Sequence, residues 1–138
     1  MTTYMLDTNI ASALIKNNMP LVRNRLISVP IRSVTVSVIT QAELLYGVAK
    51  RGNPPALAAR VQAFLSRVQV LEWTADVAQR YGDLRASCEQ TGVTLAPINM
   101  MIAAHASAVG AVLVTRDQVF NLVSPRLLVE DWSVSAII

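Results

Sequence analysis

The chain has 138 residues, of which 53% are hydrophobic and only 15% charged, with twelve Lys and Arg against nine Asp and Glu. These numbers predict one domain, residues 1–138, with a large buried core. No apolar run reaches the roughly 18 uncharged residues that a membrane span requires, and we expect no signal peptide. The single cysteine excludes an internal disulfide bond and favours a reducing cytoplasm. The net charge of +3 is compatible with a polyanionic partner without requiring one.

The first half of the chain predicts two strands, each followed by helices. A strand at 4–6 precedes helices at 10–16 and 20–27, and a strand at 34–37 precedes a helix that begins at 40 and ends between 47 and 50. Thr40 and Glu43 fit a capping box, in which the hydroxyl and the carboxylate bind free amides at the start of that helix. Pro20 suits the first turn of the second helix, because its fixed φ angle is helical and it has no amide to leave unpaired.

The second half continues the alternation. It predicts, in order, a helix from residue 54, a strand at 68–71, a helix from Thr74 to just before Gly92, a helix from Asn99 to Gly110, and strands at 111–115 and 127–129. Alternating strands and helices form right-handed crossovers, so we expect an α/β fold, a compact three-layer α/β/α domain with a central, mainly parallel sheet. Residues 133–138 form a short apolar tail, and the sequence leaves open whether it packs on the domain.

Three acidic residues follow predicted strands in apolar surroundings. Asp7 follows the first strand, Asp117 follows the fourth, and Glu43 comes one turn into the helix after the second. Because the carboxyl ends of parallel strands converge on one crevice, we expect these carboxylates to lie close together. The other six acids lie in amphipathic or terminal segments, where solvation explains them: Glu72, Asp76, Asp83, Glu89, Glu130 and Asp131.

The chemistry of clustered carboxylates indicates a metal site. Such groups repel one another and raise one another's pKa unless a cation neutralises them. A ligand set made only of oxygen suits Mg²⁺ or Mn²⁺, and these ions assist phosphoryl transfer. Each acid also has a structural interpretation: Asp7 in an Asx-turn, Glu43 in the capping box and Asp117 in a β-turn. Their matching positions after strands favour the metal site over three separate structural roles.

Four segments resemble a known family in both order and spacing. They are Met5 to Asn9, Ile39 to Gly47, Ile102 to Ala106 and Leu113 to Asp117. In this combination the chain resembles the PIN-domain ribonucleases, and within them the VapC toxins of bacterial type II toxin–antitoxin pairs. The resemblance extends over nearly the whole chain, down to the ending Glu130-Asp131-Trp132.

The resemblance implies a PIN-like fold and a homodimeric, Mg²⁺- or Mn²⁺-dependent endoribonuclease that cleaves structured RNA such as tRNA or ribosomal RNA. It also implies a VapB-like antitoxin that inhibits the enzyme by inserting a C-terminal segment over the active site. The catalytic positions carried over are Asp7, Glu43, residue 99 and Asp117. Of these, positions 7, 99 and 117 are expected to bind the metal.

Position 99 departs from the family pattern. Such toxins usually have Pro-x-Asp-x-x-Ile here, whereas this chain has Asn99 two residues after Pro97. An amide oxygen can ligate Mg²⁺, but it carries no charge and cannot take a proton from water, so we expect reduced or absent activity. The amide either arose naturally or is a deliberate replacement of the acid, and the nearly identical shapes of the two groups favour the second interpretation. Asn99 also fits a helix N-cap.

Residues near these acids have less specific assignments. Thr8, Asn9 and Thr115 either orient the carboxylates as hydrogen-bond donors or form turns and caps. Arg85 and Arg116 either bind RNA phosphates or are solvated charges. Structural roles are favoured for the remaining candidates: Trp73, Cys88, His105 and Trp132.

Two other classes of function stay open. One is a non-catalytic family member that keeps antitoxin and RNA binding, which Asn99 alone supports. The other is a phosphatase-like enzyme in which a strand-end aspartate accepts a phosphoryl group with the help of a nearby cation. Lys16 is the nearest lysine to Asp7 in the sequence. Small phosphate esters would be substrates of that enzyme and not of the nuclease.

Overall fold

The computed structural model describes residues 1–123 and 125–135 of the chain. The strands in this part of the chain are β1 (Tyr4–Leu6), β2 (Val34–Ser37), β3 (Gln69–Leu71), β4 (Val112–Val114) and β5 (Leu128–Glu130). The α-helices there are α1 (Thr8–Lys16), α2 (Pro20–Ser28), α3 (Val38–Lys50), α4 (Pro55–Arg67), α5 (Ala75–Gln90) and α6 (Pro97–Val109). Two 3₁₀ helices, Ile31–Ser33 and Gln118–Val123, lie before β2 and after β4.

All five strands are parallel and lie in the order β3-β2-β1-β4-β5. The central strand is β1, where Leu6 is paired with Val36 on one side and with Val114 on the other. The chain places β2 and β3 on one side of β1 and then crosses to the other side for β4 and β5. In such sheets ligands bind where the strand order reverses, which here lies at the carboxyl ends of β1 and β4.

Two buried clusters, one on each face of the sheet, form the outer layers with their helices. Met5 packs with apolar residues of α5 and α6, and its neighbour Leu6 packs with residues of α1 to α4. This alternation follows from the two-residue period of a strand. The predicted three-layer α/β/α architecture is therefore confirmed, with a sheet that is entirely parallel. Among the described residues, no helix has both the length and the apolar character needed to cross a bilayer.

Several element ends differ from the sequence prediction by one or two residues. Val68 was predicted to begin the third strand, but it caps α4 by donating its amide to the Phe64 carbonyl, so β3 begins at Gln69. Helix α1 begins at Thr8 rather than at residue 10, because Asp7 caps it. The predicted ends at Thr74 and Gly110 are confirmed as the caps of α5 and α6. Residues 136–138 of the predicted tail lie outside the described residues.

Candidate active site

Asp7 is fixed at the point where β1 ends and α1 begins. Its amide donates to the Val114 carbonyl at 3.0 Å, which continues the pairing of β1 with β4. Its carboxylate oxygen Oδ1 accepts the amide of Ile10 at 2.8 Å and thereby caps α1. The side chain is 5% exposed. The structural interpretation of Asp7 as a turn acid is thus correct as far as it goes, but one carboxylate oxygen is left for other partners.

Burial raises the pKa of Asp7 above its usual value of 3.8, and the negative charge of Asp117 raises it further. Hydrogen bonds from the Thr115 hydroxyl and from the amides of Ile10 and Asn9 oppose that rise but do not cancel it. No Lys or Arg forms an ion pair with Asp7 among the described residues. The folded protein therefore carries a buried carboxylate whose charge is not compensated, which is unfavourable unless a cation binds.

Glu43 does not belong to a capping box. Helix α3 begins at Val38, directly after β2, and Ser37 caps it by accepting the Ile39 amide at 3.0 Å. Thr40 therefore lies within the first turn, where it is buried and its hydroxyl is 3.2 Å from that of Thr8. The capping-box prediction is wrong because serine, a strong N-cap residue, already occupies the last position of the strand. Glu43 is half-buried on the second turn of the helix.

Asn99 is not an N-cap either. Helix α6 begins at Pro97, after Ala96, so Asn99 is the third residue of the helix rather than its first. A proline is favoured at the first helical position, which explains why the helix starts two residues earlier than predicted. The carboxamide of Asn99 is consequently not engaged as a cap, and it lines the same cleft as Asp7 and Glu43.

These side chains meet in a cleft of about 230 Å³ at the carboxyl end of β1, which we call the acid cleft. Its lining residues are Asp7, Thr8, Asn9, Glu43, Ile98, Asn99 and Ile102. Three segments that lie far apart in the sequence thus supply two carboxylates and the carboxamides of Asn9 and Asn99, with two isoleucines as an apolar wall. The prediction that positions 7, 43 and 99 converge agrees with this lining.

Asp117 lies at the margin of the acid cleft rather than in its lining. It is exposed, its amide donates to Thr115 Oγ1 at 3.0 Å, and its Oδ1 accepts the Val119 amide at 3.0 Å. This is an Asx-type turn that begins the 3₁₀ helix after β4, so the predicted turn role is present. Its charge nevertheless acts on Asp7. Within residues 1–123 and 125–135, no three His, Cys, Asp or Glu side chains are grouped closely enough to hold a metal ion by themselves.

The flanking candidates have different surroundings. Thr8 and Asn9 line the acid cleft, and the Thr115 hydroxyl bonds to Asp117 as well as supporting Asp7. Arg116 is exposed and lines a neighbouring cavity together with Asn9. Arg85 instead forms an ion pair with Glu89 at 3.1 Å and donates to the Tyr81 hydroxyl at 3.0 Å, on the far helix α5. Its interaction with Glu89 leaves Arg85 less available for phosphate than Arg116.

The structural roles expected for other residues agree with their surroundings. His105 is buried, hydrogen-bonds to Ser37 Oγ through Nδ1 at 2.7 Å, and packs edge-on against Trp73. Burial lowers the pKa of His105, as expected for a neutral core histidine. Cys88 and Trp132 are also buried in the core. The sequence did not single out Ser37, although a serine that ends a strand before a helix is a recognisable capping signal.

A match to a protein-family model identifies the fold. Residues 4–124 match the model described as PIN domain. This span includes β1 to β4, all six described helices and every residue that lines the acid cleft. The chain belongs to the PIN-domain family.

Relatives of this PIN domain are VapC proteins. It is 37% identical to the tRNA(fMet)-specific endonuclease VapC of Shigella flexneri. The alignment extends over 134 residues and covers 96% of this chain and 100% of the relative. The crystal structure of VapBC2 from Rickettsia felis bound to a DNA fragment from their promoter superposes with a TM-score of 0.87 and 33% identity, over 95% of this chain and 99% of that one. DNA-bound VapBC from Salmonella typhimurium gives a TM-score of 0.87 and 36% identity, over 96% and 99% of the two chains. The resemblance to VapC seen in the sequence is confirmed.

Proposed function

We propose that this PIN domain is a Mg²⁺- or Mn²⁺-dependent endoribonuclease toxin whose hydrolytic activity is weakened or abolished by Asn99. The observation that carries the proposal is the acid cleft, in which two carboxylates without a cationic partner among the described residues lie beside the carboxamide of Asn99. The cleft is at the edge of the sheet where ligands of parallel α/β folds bind. Similarity to VapC ribonucleases over most of the chain supports the same reaction.

The donors in the acid cleft suit a hard divalent ion. Asp7 and Glu43 offer carboxylate oxygens and Asn99 offers an amide oxygen, which are ligands that Mg²⁺ and Mn²⁺ prefer. Mg²⁺ is commonly held by one or two carboxylates and keeps several waters, so a cluster of three acids is not required. A cation would also relieve the desolvation and repulsion that raise the pKa of Asp7. When bound, such an ion would neutralise the charge that develops on the scissile phosphate.

The side chains of the cleft would divide the remaining work. Glu43 has no hydrogen-bond partner among the described residues, so we assign to it the proton taken from an attacking water. Asp7 already accepts the Ile10 amide with one oxygen, so we assign the other oxygen to ion binding. Asp117 would offer the oxygen that does not hold the Val119 amide. Asn99 could bind the ion but could not accept a proton.

The test is restoration of the acid at position 99. Asn99→Asp adds an anionic ligand and a group that can hold or deprotonate the attacking water. Removal of one proton-transfer group usually costs about 10²- to 10⁴-fold in rate, so we expect a gain of that order. Both forms are incubated with total cellular RNA and saturating Mn²⁺, and cleavage is followed on denaturing gels. In cells, the restored form should arrest growth unless the antitoxin is present.

Asn24→Asp is the matched control. Asn24 is exposed on α2 and does not line the acid cleft, so this substitution adds the same charge away from the cleft. It should leave cleavage unchanged. Equal cleavage by the original chain and Asn99→Asp, at matched folding, would contradict the role of position 99. Cleavage that persists in EDTA would contradict the metal.

The substrate we propose is structured RNA, with tRNA first. The relatives from Shigella flexneri and Salmonella typhimurium are named as tRNA(fMet)-specific endonucleases, at 37% and 35% identity. Purified tRNA and ribosomal RNA fractions, offered separately to Asn99→Asp, distinguish the two classes. A single discrete product from tRNA and none from ribosomal RNA is the expected result, whereas the opposite pattern would identify ribosomal RNA as the target.

The partner we propose is a VapB-like antitoxin that inserts a Lys or Arg into the acid cleft. VapBC complexes are among the most similar structures, and an inserted cation would form charge-assisted hydrogen bonds with the uncompensated carboxylates. Antitoxin affinity should then fall as Mn²⁺ is titrated in at fixed ionic strength, and a metal-independent affinity would contradict the insertion. We also propose a homodimer that acts on RNA in the cytoplasm, which sedimentation of the purified chain and cell fractionation would test.

Of the two rival functions, only one has an observation in its favour. The carboxamide of Asn99 favours a member that binds RNA and antitoxin without hydrolysis, and complete inactivity of the original chain with intact RNA binding would support it. The phosphatase-like enzyme needs a cation beside the acceptor aspartate. Lys16 lines the two cavities adjoining the acid cleft but not the one lined by Asp7, so this rival has no support.

A further inference from the structure

Two cavities adjoin the acid cleft, one on each side of α1. The first, of about 170 Å³, lies between α1 and α3 and shares Thr8, Asn9 and Glu43 with the acid cleft. The second, of about 280 Å³, lies between α1 and the loop after β4 and shares Asn9 with it. Asn9 therefore lines all three cavities, so the acid cleft and its two neighbours meet around this residue.

Four cations line the two outer cavities. Lys16, Lys50 and Arg51 line the first, and Lys16 and Arg116 line the second, so that Lys16 belongs to both. All four residues are exposed, and the ion pairs found within the described residues involve other cations. Lys50 additionally lies 5.5 Å from the centre of the Tyr46 ring. Glu43 is the one acid that lines the first cavity, and no acid lines the second.

Helix-end electrostatics explains only part of this arrangement. Lys16 and Lys50 lie in the last turns of α1 and α3, where a positive charge stabilises the helix dipole. That effect does not explain why the ends of two helices and the loop carrying Arg116 all line cavities that adjoin the acid cleft. Nor does it explain why the residues that line these two cavities include four cations and only one acid.

The carboxylates of the acid cleft repel RNA phosphates, and the four cations would offset that repulsion. A nucleic acid strand that enters the cleft brings negative phosphates close to Asp7 and Glu43, and like charges repel. A bound divalent ion offsets this at one phosphate only, whereas a strand carries one negative charge per nucleotide. Cations on both sides of the cleft would hold the neighbouring phosphates and so favour productive entry.

We propose that Lys16, Lys50, Arg51 and Arg116 form a track for the RNA backbone, which binds the phosphates that flank the scissile one. This proposal rests on the proposed nuclease function and adds to it the path of the substrate. Phosphate contacts position a strand without reading its sequence. The track therefore contributes affinity and register, whereas the choice of RNA must come from other contacts.

The test measures binding separately from cleavage. The original chain, which carries Asn99, is titrated into fluorescently labelled bulk tRNA in EDTA at several salt concentrations, and anisotropy gives the dissociation constant. The logarithm of affinity falls linearly with the logarithm of salt concentration, with a slope set by the number of phosphates contacted. Each removed cation should reduce that slope by about one, so the double variant Lys50→Gln/Arg51→Gln should reduce it by about two.

Arg32→Gln is the matched control, because Arg32 is exposed in the 3₁₀ helix before β2 and lines none of the three cavities. It should leave the slope unchanged. All variants are first compared with the original chain by circular dichroism and thermal melting, since exposed Lys or Arg to Gln changes should preserve the fold. An unchanged slope in the double variant, or an equal loss in Arg32→Gln, would overturn the track.

A second readout separates this proposal from the nuclease proposal. In the Asn99→Asp background with Mn²⁺, Lys50→Gln/Arg51→Gln and Arg116→Gln should raise KM and leave kcat nearly unchanged. If salt slopes respond as expected but Asn99→Asp does not cleave RNA, the track stands and the nuclease proposal fails. If Asn99→Asp cleaves RNA but the slopes do not respond, the nuclease stands and the track fails.

Discussion

Two carboxylates at the carboxyl edge of the same sheet differ in what surrounds them. Glu130, the last residue of β5, accepts hydrogen bonds from Arg25 at 3.1 Å and from the indole of Trp132 at 3.0 Å. Asp7, directly after β1, accepts the Ile10 amide and has no Lys or Arg within ion-pair distance among the described residues. Both lie at the carboxyl end of a parallel strand, but only the charge of Asp7 is left uncompensated.

The difference shows that a position after a strand does not by itself identify a functional acid. The partners of Glu130 attach the C-terminal segment to the body of the domain, because Arg25 lies on α2 and Trp132 packs edge-on against Tyr4 of β1. Its charge is fully explained by structure. Asp7 and Glu43 instead have no cationic partner in the described part of the chain, and the buried charge of Asp7 is unfavourable unless a cation binds.

The largest effect that distinguishes the two regions is on cleavage. In the Asn99→Asp background, Glu43→Gln should lower the rate of RNA cleavage by about 10²- to 10⁴-fold, because it removes the group assigned to proton transfer. Glu130→Gln should leave the rate within a few-fold. Thermal melts of the same samples should show no loss of stability in Glu43→Gln, since Ser37 rather than Glu43 caps α3. A cleavage rate that Glu43→Gln does not change would remove Glu43 from the reaction.

A smaller effect, on stability, should be seen at Glu130 and not at Glu43. Glu130→Ala removes a partly exposed ion pair and leaves the buried indole N–H of Trp132 without its acceptor, which together should cost about 2 kcal/mol of unfolding free energy. Urea denaturation followed by tryptophan fluorescence measures this change. Glu89→Ala is the control, because its pair with Arg85 is exposed and spans one helical turn, and it should not change the midpoint measurably. Equal midpoints for Glu130→Ala and the original chain would mean that the hydrogen bonds of Glu130 do not contribute to the free energy of unfolding.

Much of the fold could be predicted from the sequence, because the periods of strands and helices are local and the rules of parallel sheets are general. The sheet, its layers and the convergence of Asp7 with Glu43 required only the alternation of elements and the rule that strand ends share a crevice, whereas position 99 was predicted from the family resemblance. Capping was predicted less well. Thr40 and Asn99 are both good capping residues, yet Ser37 and Pro97 begin the helices earlier, and a choice between neighbouring caps depends on where the strand or loop ends.

What the sequence did not reveal were interactions between distant segments. Glu130 was attributed to solvation, but its partner Arg25 is 105 residues away in the chain, and that separation gives no local pattern. The same holds for Lys16, Lys50 and Arg51, which come from different segments and line one cavity only in the folded chain. Asp117 was predicted in the cleft itself and lies at its margin, because its carboxylate is partly used by the turn that follows β4.

The smallest predicted effect is the pH dependence that Asp7 contributes to stability. Because its pKa is raised in the folded protein, this carboxyl binds a proton more readily when folded than when unfolded. Its contribution to stability is therefore greatest below the unfolded pKa of 3.8 and is lost as pH rises through the folded value. Asp7→Asn removes the charge but keeps an oxygen that can cap α1, so it should be more stable than the original chain at neutral pH in EDTA.

The measurement is the difference in unfolding free energy between the original chain and Asp7→Asn, taken from pH 7.5 down to about pH 4 in EDTA. The difference should shrink as the pH falls, because protonation of Asp7 relieves its desolvation and its repulsion by Asp117. His105 has a lowered pKa and destabilises the fold below its usual value of 6.5, but that contribution is common to both proteins and cancels. Added Mn²⁺ should reduce the advantage of Asp7→Asn at neutral pH, since only the carboxylate attracts the ion strongly. A difference that does not change with pH would mean that folding does not raise the pKa of Asp7, and its charge would then need no cation to compensate it.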